Sequence, residues 1–141
     1  MKINILIDTG FWIALFAPRD DPSQTLIAEK IAKDIEDFTL IIPYPTLYEF
    51  VNSRLSRRDE RDQFENFIKR SNLFKLDDSK YREMAFENFF IKMKDGFSDV
   101  SFVDEVIKLM LEDKNLKIDY LVSFDIGLIN SAHSINIKSL S

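Results

Sequence analysis

The segment Ile3-Asn4-Ile5-Leu6-Ile7 is β-branched and nearly all apolar. Such a run predicts a strand buried on both faces of a parallel sheet, because covering helices remove the usual polar alternation. Asp21-Pro22 predicts an N-cap followed by proline in a first helical turn, where its missing N–H costs nothing. Ile27, Ile31 and Ile35 then recur every four residues beside Ala28 and Ala32, so this helix runs to about residue 37. Thr39 to Ile42 reads as a second strand, ended by Pro43 and Pro45. Thr46 is expected to start a helix containing Leu47, Phe50 and Val51. A charged helix follows from about Arg58, with Phe64, Phe67 and Ile68 on one side. Asn72 to Leu76 is a short strand, and Asp78 is expected to cap a helix carrying Tyr81, Met84, Ala85, Phe89 and Met93. Asp95-Gly96 breaks that helix. Ser101 opens another, with Val103, Val106, Ile107, Met110 and Leu111 on its apolar side. Tyr120 to Phe124 is a strand, Ile126 to Ala132 a short helix, and Ile135 to Leu140 a last strand. Strands alternating with helices predict an α/β sandwich around a mostly parallel sheet.

Composition narrows the function classes. The 141 residues suit one domain spanning 1–141, and no repeat or linker divides them. A chain with 45% hydrophobic residues and thirteen phenylalanines can bury a substantial core. The absence of cysteine excludes disulfides, thiolate metal sites and cysteine nucleophiles, and fits a reducing cytoplasm. A net charge of −5 excludes a generally basic nucleic-acid binder, so RNA contact would require a local basic patch or metal ions. The apolar run Phe11 to Ala17 is far shorter than the roughly 20 residues of a membrane span. His133 is the only histidine, which excludes a multi-histidine centre.

Four acids occupy equivalent places in this pattern. Asp8 directly follows the first buried strand, and Asp125 directly follows Tyr120 to Phe124. Glu49 and Asp104 are expected in the first turns of helices opening at Thr46 and Ser101. Open parallel sheets gather ligands at the carboxyl ends of their strands, so all four acids point to one edge. Each also has a plainer role. Asp8 and Asp125 could be turn or cap residues, and Thr46-Leu47-Tyr48-Glu49 spells a capping box that Ser101-Phe102-Val103-Asp104 nearly repeats. Coincidence at one edge favours a joint site. Clustered carboxylates repel, and a hard divalent ion relieves that repulsion; oxygen-only donors select Mg²⁺ or Mn²⁺. Metal-assisted cleavage of a phosphodiester is the chemistry such a cluster serves best.

The sequence resembles the PIN-domain family, and within it the VapC-type toxins, over essentially its whole length. The resemblance rests on the hydrophobic strand ending in Asp8-Thr9 before Phe11-Trp12-Ile13-Ala14-Leu15. It rests also on Pro43 to Glu49, Ser101 to Asp104 and Leu121-Val122-Ser123-Phe124-Asp125. It implies a three-layer α/β/α sandwich with four or five mainly parallel strands. It implies an acidic site of Asp8, Glu49, Asp104 and Asp125, with Thr9 and Ser123 as polar neighbours. Activity would be that of an endoribonuclease using Mg²⁺ or Mn²⁺, neutralised by a small antitoxin protein and often homodimeric. Asp99 departs from the pattern as a second acid near the third position, an auxiliary ligand or a loop residue. Asp8 and Asp125 are the first candidates for direct ligands, with Asp104 completing the shell. Glu49 either binds through water or takes a proton from the attacking water.

Arg54, Arg57, Arg58 and Arg61 are candidates for RNA phosphate contacts, although interleaved Asp59, Glu60, Asp62 and Glu65 favour a solvated, ion-paired face. Trp12, Phe89 and Phe90 could stack on bases or form a partner surface, but most aromatics should be core. Two PIN-like alternatives are a non-catalytic RNA- or protein-binding module and a housekeeping nuclease. Asp8-Thr9-Gly10 also spells the aspartic-protease tripeptide, but three glycines and long helical patterns disfavour that β-rich fold.

Overall fold

The computed structural model describes residues 2–16, 22–53, 58–97 and 101–140, without the side chains of residues 52, 53 and 58. In chain order the elements are β1 (Asn4–Ile7), α1 (Thr9–Phe16), α2 (Pro22–Asp34), β2 (Thr39–Pro43), α3 (Tyr44–Ser53) and α4 (Arg58–Ile68). There follow β3 (Leu73–Leu76), α5 (Arg82–Lys94), α6 (Phe102–Glu112), β4 (Tyr120–Val122), α7 (Ile126–Ser134) and β5 (Lys138–Leu140). The five strands pair in the order β3-β2-β1-β4-β5, and every pairing is parallel. The chain builds outward from β1 through β2 to β3, then returns to the other side of β1 for β4 and β5. The order therefore reverses between β1 and β4, and in open parallel sheets the crevice that takes ligands is expected at such a reversal, beyond the strand carboxyl ends.

The pleat of β1 sorts its side chains into two layers. Ile5 and Ile7 enter a core with Phe11, Trp12, Ile31, Phe50, Phe64 and Phe67, supplied by α1 to α4. Leu6 enters a second core with Ala85, Val106, Ile107, Met110, Leu128 and Ala132, supplied by α5 to α7. Leu40 and Ile42 join the first core and Ile41 the second, and Val122 and Leu121 divide in the same way. This is the expected three-layer sandwich. An aspartic-protease fold is thereby excluded.

Several local expectations are corrected. Phe11 to Phe16 forms part of a helix that periodicity did not disclose. Apolar side chains surround α1, so no polar stripe marks its period, and Phe11, Trp12, Ala14 and Phe16 are buried. Trp12 is no base-stacking residue: it is fully buried, edge-on to Phe11, Phe64 and Phe67. Helix α3 starts at Tyr44 rather than Thr46, with Pro45 tolerated in its first turn. Asp78 does not cap α5 with its side chain; its carboxylate accepts two bonds from the Arg82 guanidinium, at 3.1 Å each. The proposed cap Asp21 lies outside the described residues.

On the far side of α5, Tyr81 and Lys80 both donate to Asp113 Oδ2, at 2.6 and 2.8 Å. These bonds hold the Asp113 carboxyl down at about 2, well below the usual range. They tie the start of α5 to the end of α6.

Candidate active site

The backbone brings Asp8 to the crevice first. Its N–H donates to Val122 O at 3.0 Å, extending the β1–β4 ladder by one residue beyond Ile7. Its side chain then has two donors: Thr9 N–H reaches Oδ1 at 2.7 Å and Ser123 Oγ reaches Oδ2 at 3.0 Å. Ser123 is 1% exposed and Asp8 7%, so this pair forms the floor of the site. Ser123 Oγ also accepts from Asp125 N–H at 3.0 Å. One hydroxyl thus orients both strand-end acids.

Asp125 is exposed and caps α7, its Oδ1 accepting from Leu128 N–H at 3.1 Å. Asp104 is half-buried in the first turn of α6. There Ser101 supplies the cap, its Oγ accepting from Asp104 N–H at 3.3 Å. The capping reading is correct for Asp125. It fails for Glu49, which lies in the second turn of α3 because that helix begins early. Thr46 Oγ1 donates to Pro43 O at 2.8 Å, so no capping box forms there. Glu49 Oε1 instead accepts from Thr9 Oγ1 at 2.6 Å, linking α3 to the end of β1.

Two of the four acids are raised above the ordinary carboxylate range. Burial pushes the Asp8 carboxyl up to about 6, and the charges of Asp125 and Glu49 add to the rise. Burial pushes Asp104 up to about 7, reinforced by Asp8, Asp125 and Glu49 and opposed by Lys108. The charges of the other three acids thus all reach Asp104. Among the described residues, no three carboxylates close into a metal-coordinating cluster. The donor set nevertheless suits a hard cation: it is all oxygen, it is mutually repulsive, and a buried hydroxyl aims its innermost member.

Gly127 was not singled out in the sequence, yet it limits the Asp125 side chain. A Cβ built there would meet Asp125 Oδ1 at 3.1 Å, a tight contact. Gly127→Ala is expected to displace that carboxylate and weaken divalent-cation binding several-fold. Helix α7 should be kept or slightly stabilised, because alanine is the better helix former by up to about 1 kcal/mol. Mn²⁺ titrations set beside melting curves check this; unchanged affinity would show that Asp125 has room to spare.

Of the other candidates, Arg54, Arg57, Asp99 and the side chain of Arg58 lie outside the described residues. Arg61 is exposed on α4. Its neighbours behave as an ordinary surface, with Lys69 paired to Glu65 at 3.5 Å and Arg70 lying over Phe67 at 4.4 Å. His133 Nε2 lies 3.1 Å from Ser139 Oγ, in the last turn of α7.

The PIN-domain family model matches residues 5–140. No curated protein matches the sequence. Among solved structures, the chain is similar to Mycobacterium tuberculosis VapC20, a sarcin-ricin loop cleaving toxin, at 19% identity and TM-score 0.66 over 88% of this chain and 92% of that one. It is also similar to VapBC2 from Rickettsia felis, solved on a DNA fragment from its promoter. That match has 14% identity and TM-score 0.63 over 97% of both chains. At these identities the likeness is one of fold. No described helix is long and apolar enough to cross a membrane.

Proposed function

Because this chain belongs to the PIN-domain family, we propose that it is a divalent-metal-dependent endoribonuclease, the toxin of a toxin–antitoxin pair acting on RNA in the cytoplasm. The observation that carries this reading is the linkage of Asp8, Glu49 and Asp125 through Thr9 and Ser123 at the ends of β1 and β4, with the half-buried Asp104 raised by the charges of the other three. Asp8, Asp104 and Asp125 would hold Mg²⁺ or Mn²⁺, with Glu49 beside them. Bound there, the ion would supply Lewis acidity and offset the negative charge that grows on the phosphodiester.

The chain's own residues do the rest. Ser123 and the Thr9 N–H fix both oxygens of Asp8, so the deepest carboxylate cannot rotate. The capping bond of Asp125 fixes its Oδ1 in the same way. Glu49 is exposed at the mouth and held by Thr9, which suits it to accept a proton from the attacking water. The water oxygen forms the new bond to phosphorus as the ester bond breaks. The leaving oxygen then takes a proton from solvent.

Two partners belong to the proposal. A second copy would cover the apolar side chains that α5 leaves exposed, among them Met84, Phe90, Ile91 and Met93. A small antitoxin would block the crevice. VapBC2 of Rickettsia felis, which shares the fold, was solved on promoter DNA, and that likeness supports a toxin–antitoxin setting.

The direct test is incubation of purified protein with total RNA, followed by mapping of the cut ends. Discrete cuts are expected with Mg²⁺ or Mn²⁺ and none in excess EDTA. Full cleavage in EDTA, or none with either metal, would overturn the reading.

A further inference from the structure

Two lysines share one buried carboxylate beside the acidic site. Lys92, in the last turn of α5, bonds Glu105 Oε1, and Lys108 Nζ lies 3.7 Å from the same oxygen. Glu105 is 3% exposed, whereas the Lys92 and Lys108 side chains keep 36% and 28% of their exposure. A carboxylate this deep is costly unless it is paired, so its two partners are held firmly. One negative charge cannot neutralise two ammonium groups. The trio keeps an excess positive charge, and each ammonium has three hydrogens to donate.

The trio also adjoins the chemistry. Glu105 directly follows Asp104, and Lys108 lies four residues beyond Asp104 on the same face of α6. Lys108 and Lys92 both interact with the Asp104 charge. In a chain of net charge −5, a polyanion approaching four carboxylates meets repulsion. A fixed cationic pair at that edge offsets it.

Resting on the ribonuclease reading, we propose that Lys92 and Lys108 bind an RNA backbone phosphate next to the bond that is cut. Glu105 is the positioning residue that anchors both ammonium groups. The contact is to phosphate and therefore independent of base sequence.

The test uses fluorescently labelled single-stranded RNA of mixed sequence and protein carrying Asp8→Asn, which blocks cutting. Binding is measured across a potassium chloride series, with Lys92→Gln, Lys108→Gln or Glu105→Gln added. Glutamine keeps a hydrogen-bonding group of similar reach, and melting curves report folding separately. Each lysine change should weaken binding several-fold and lower the slope of log affinity against log salt by about 0.7. Lys92→Arg and Lys108→Arg should restore the slope. Glu105→Gln should weaken binding although it removes a negative charge, an outcome that charge alone would reverse. Unchanged slopes in both lysine variants, with RNA binding otherwise intact, overturn the phosphate contact. Equal or tighter binding by Glu105→Gln overturns the positioning role. If the parent protein binds no RNA, the ribonuclease reading fails and this assignment with it. Should a Gln variant not fold, the corresponding Lys→Met variant, which keeps the apolar stem, decides by the same slope.

Discussion

Asp8→Asn is expected to lower RNA cleavage by on the order of a thousandfold, the scale of losing a preorganised charge-stabilising group. The same change should raise the melting temperature of the metal-free protein near neutral pH. Asparagine is nearly isosteric with aspartate, and its side-chain oxygen can still accept from Thr9 N–H. Ser123 can turn its hydroxyl to receive the new amide donor, because a hydroxyl has two acceptor lone pairs and already uses one for Asp125 N–H. What disappears is a buried negative charge. The Asp8 carboxyl titrates at about 6 in the folded protein against 3.8 for the free group. Above that pH its ionised form is therefore a liability to the fold, and relief of on the order of 1–2 kcal/mol is expected. Melting curves and single-turnover cleavage on the same preparations check both halves. Cleavage like that of the parent would remove Asp8 from the mechanism.

The second large effect is a pH dependence that metal reverses. The folded-state values of Asp8 and Asp104 are raised, to about 6 and about 7 from 3.8. Between the free value and these raised values, the folded protein holds protons that the unfolded chain has released. Stability should therefore fall as pH rises from about 4 to about 7, by up to about 1.4 kcal/mol per pH step for the buried Asp8 and by less for Asp104, which solvent partly screens. Asp113 has the opposite sign: its contribution is complete above 3.8 and is lost as pH falls through about 2, outside this window. A divalent ion prefers deprotonated carboxylates, so its stabilising effect should grow across the same interval. At a hundred times its dissociation constant, it should add about 2.7 kcal/mol. Melting temperatures at about pH 5 and about pH 8, with and without Mn²⁺, check this. In Asp8→Asn the slope should shrink and the metal response should vanish. An identical pH profile in that variant would detach the effect from the site.

The layered fold was readable because its signals are periodic. Ile3 to Ile7 had to be a doubly covered strand, and Ile5 and Leu6 do enter opposite cores. The helix Thr9–Phe16 was invisible because burial on all sides erases the polar stripe that reveals a helix. The start of α3 was misplaced because Pro45 looks like a terminator, whereas proline is harmless in a first turn. The same logic applies to the acids. That Asp8 and Asp125 lie beyond strand ends could be argued from the pattern alone, whereas the pairing of those two strands could not. The bond from Thr9 to Glu49 joins residues forty apart and has no local signature. Nothing in the local sequence distinguishes Glu105 from the acids around it. Only tertiary packing reveals that it is buried between two lysines.

Whether Asp8, Glu49, Asp104 and Asp125 act together as a cation site is decided most directly by calorimetric titration of Mn²⁺ into the protein near neutral pH. Saturable binding that Asp8→Asn removes, with the variant still folded, is the expected result. Equal binding by both proteins, or none by the parent, would contradict it.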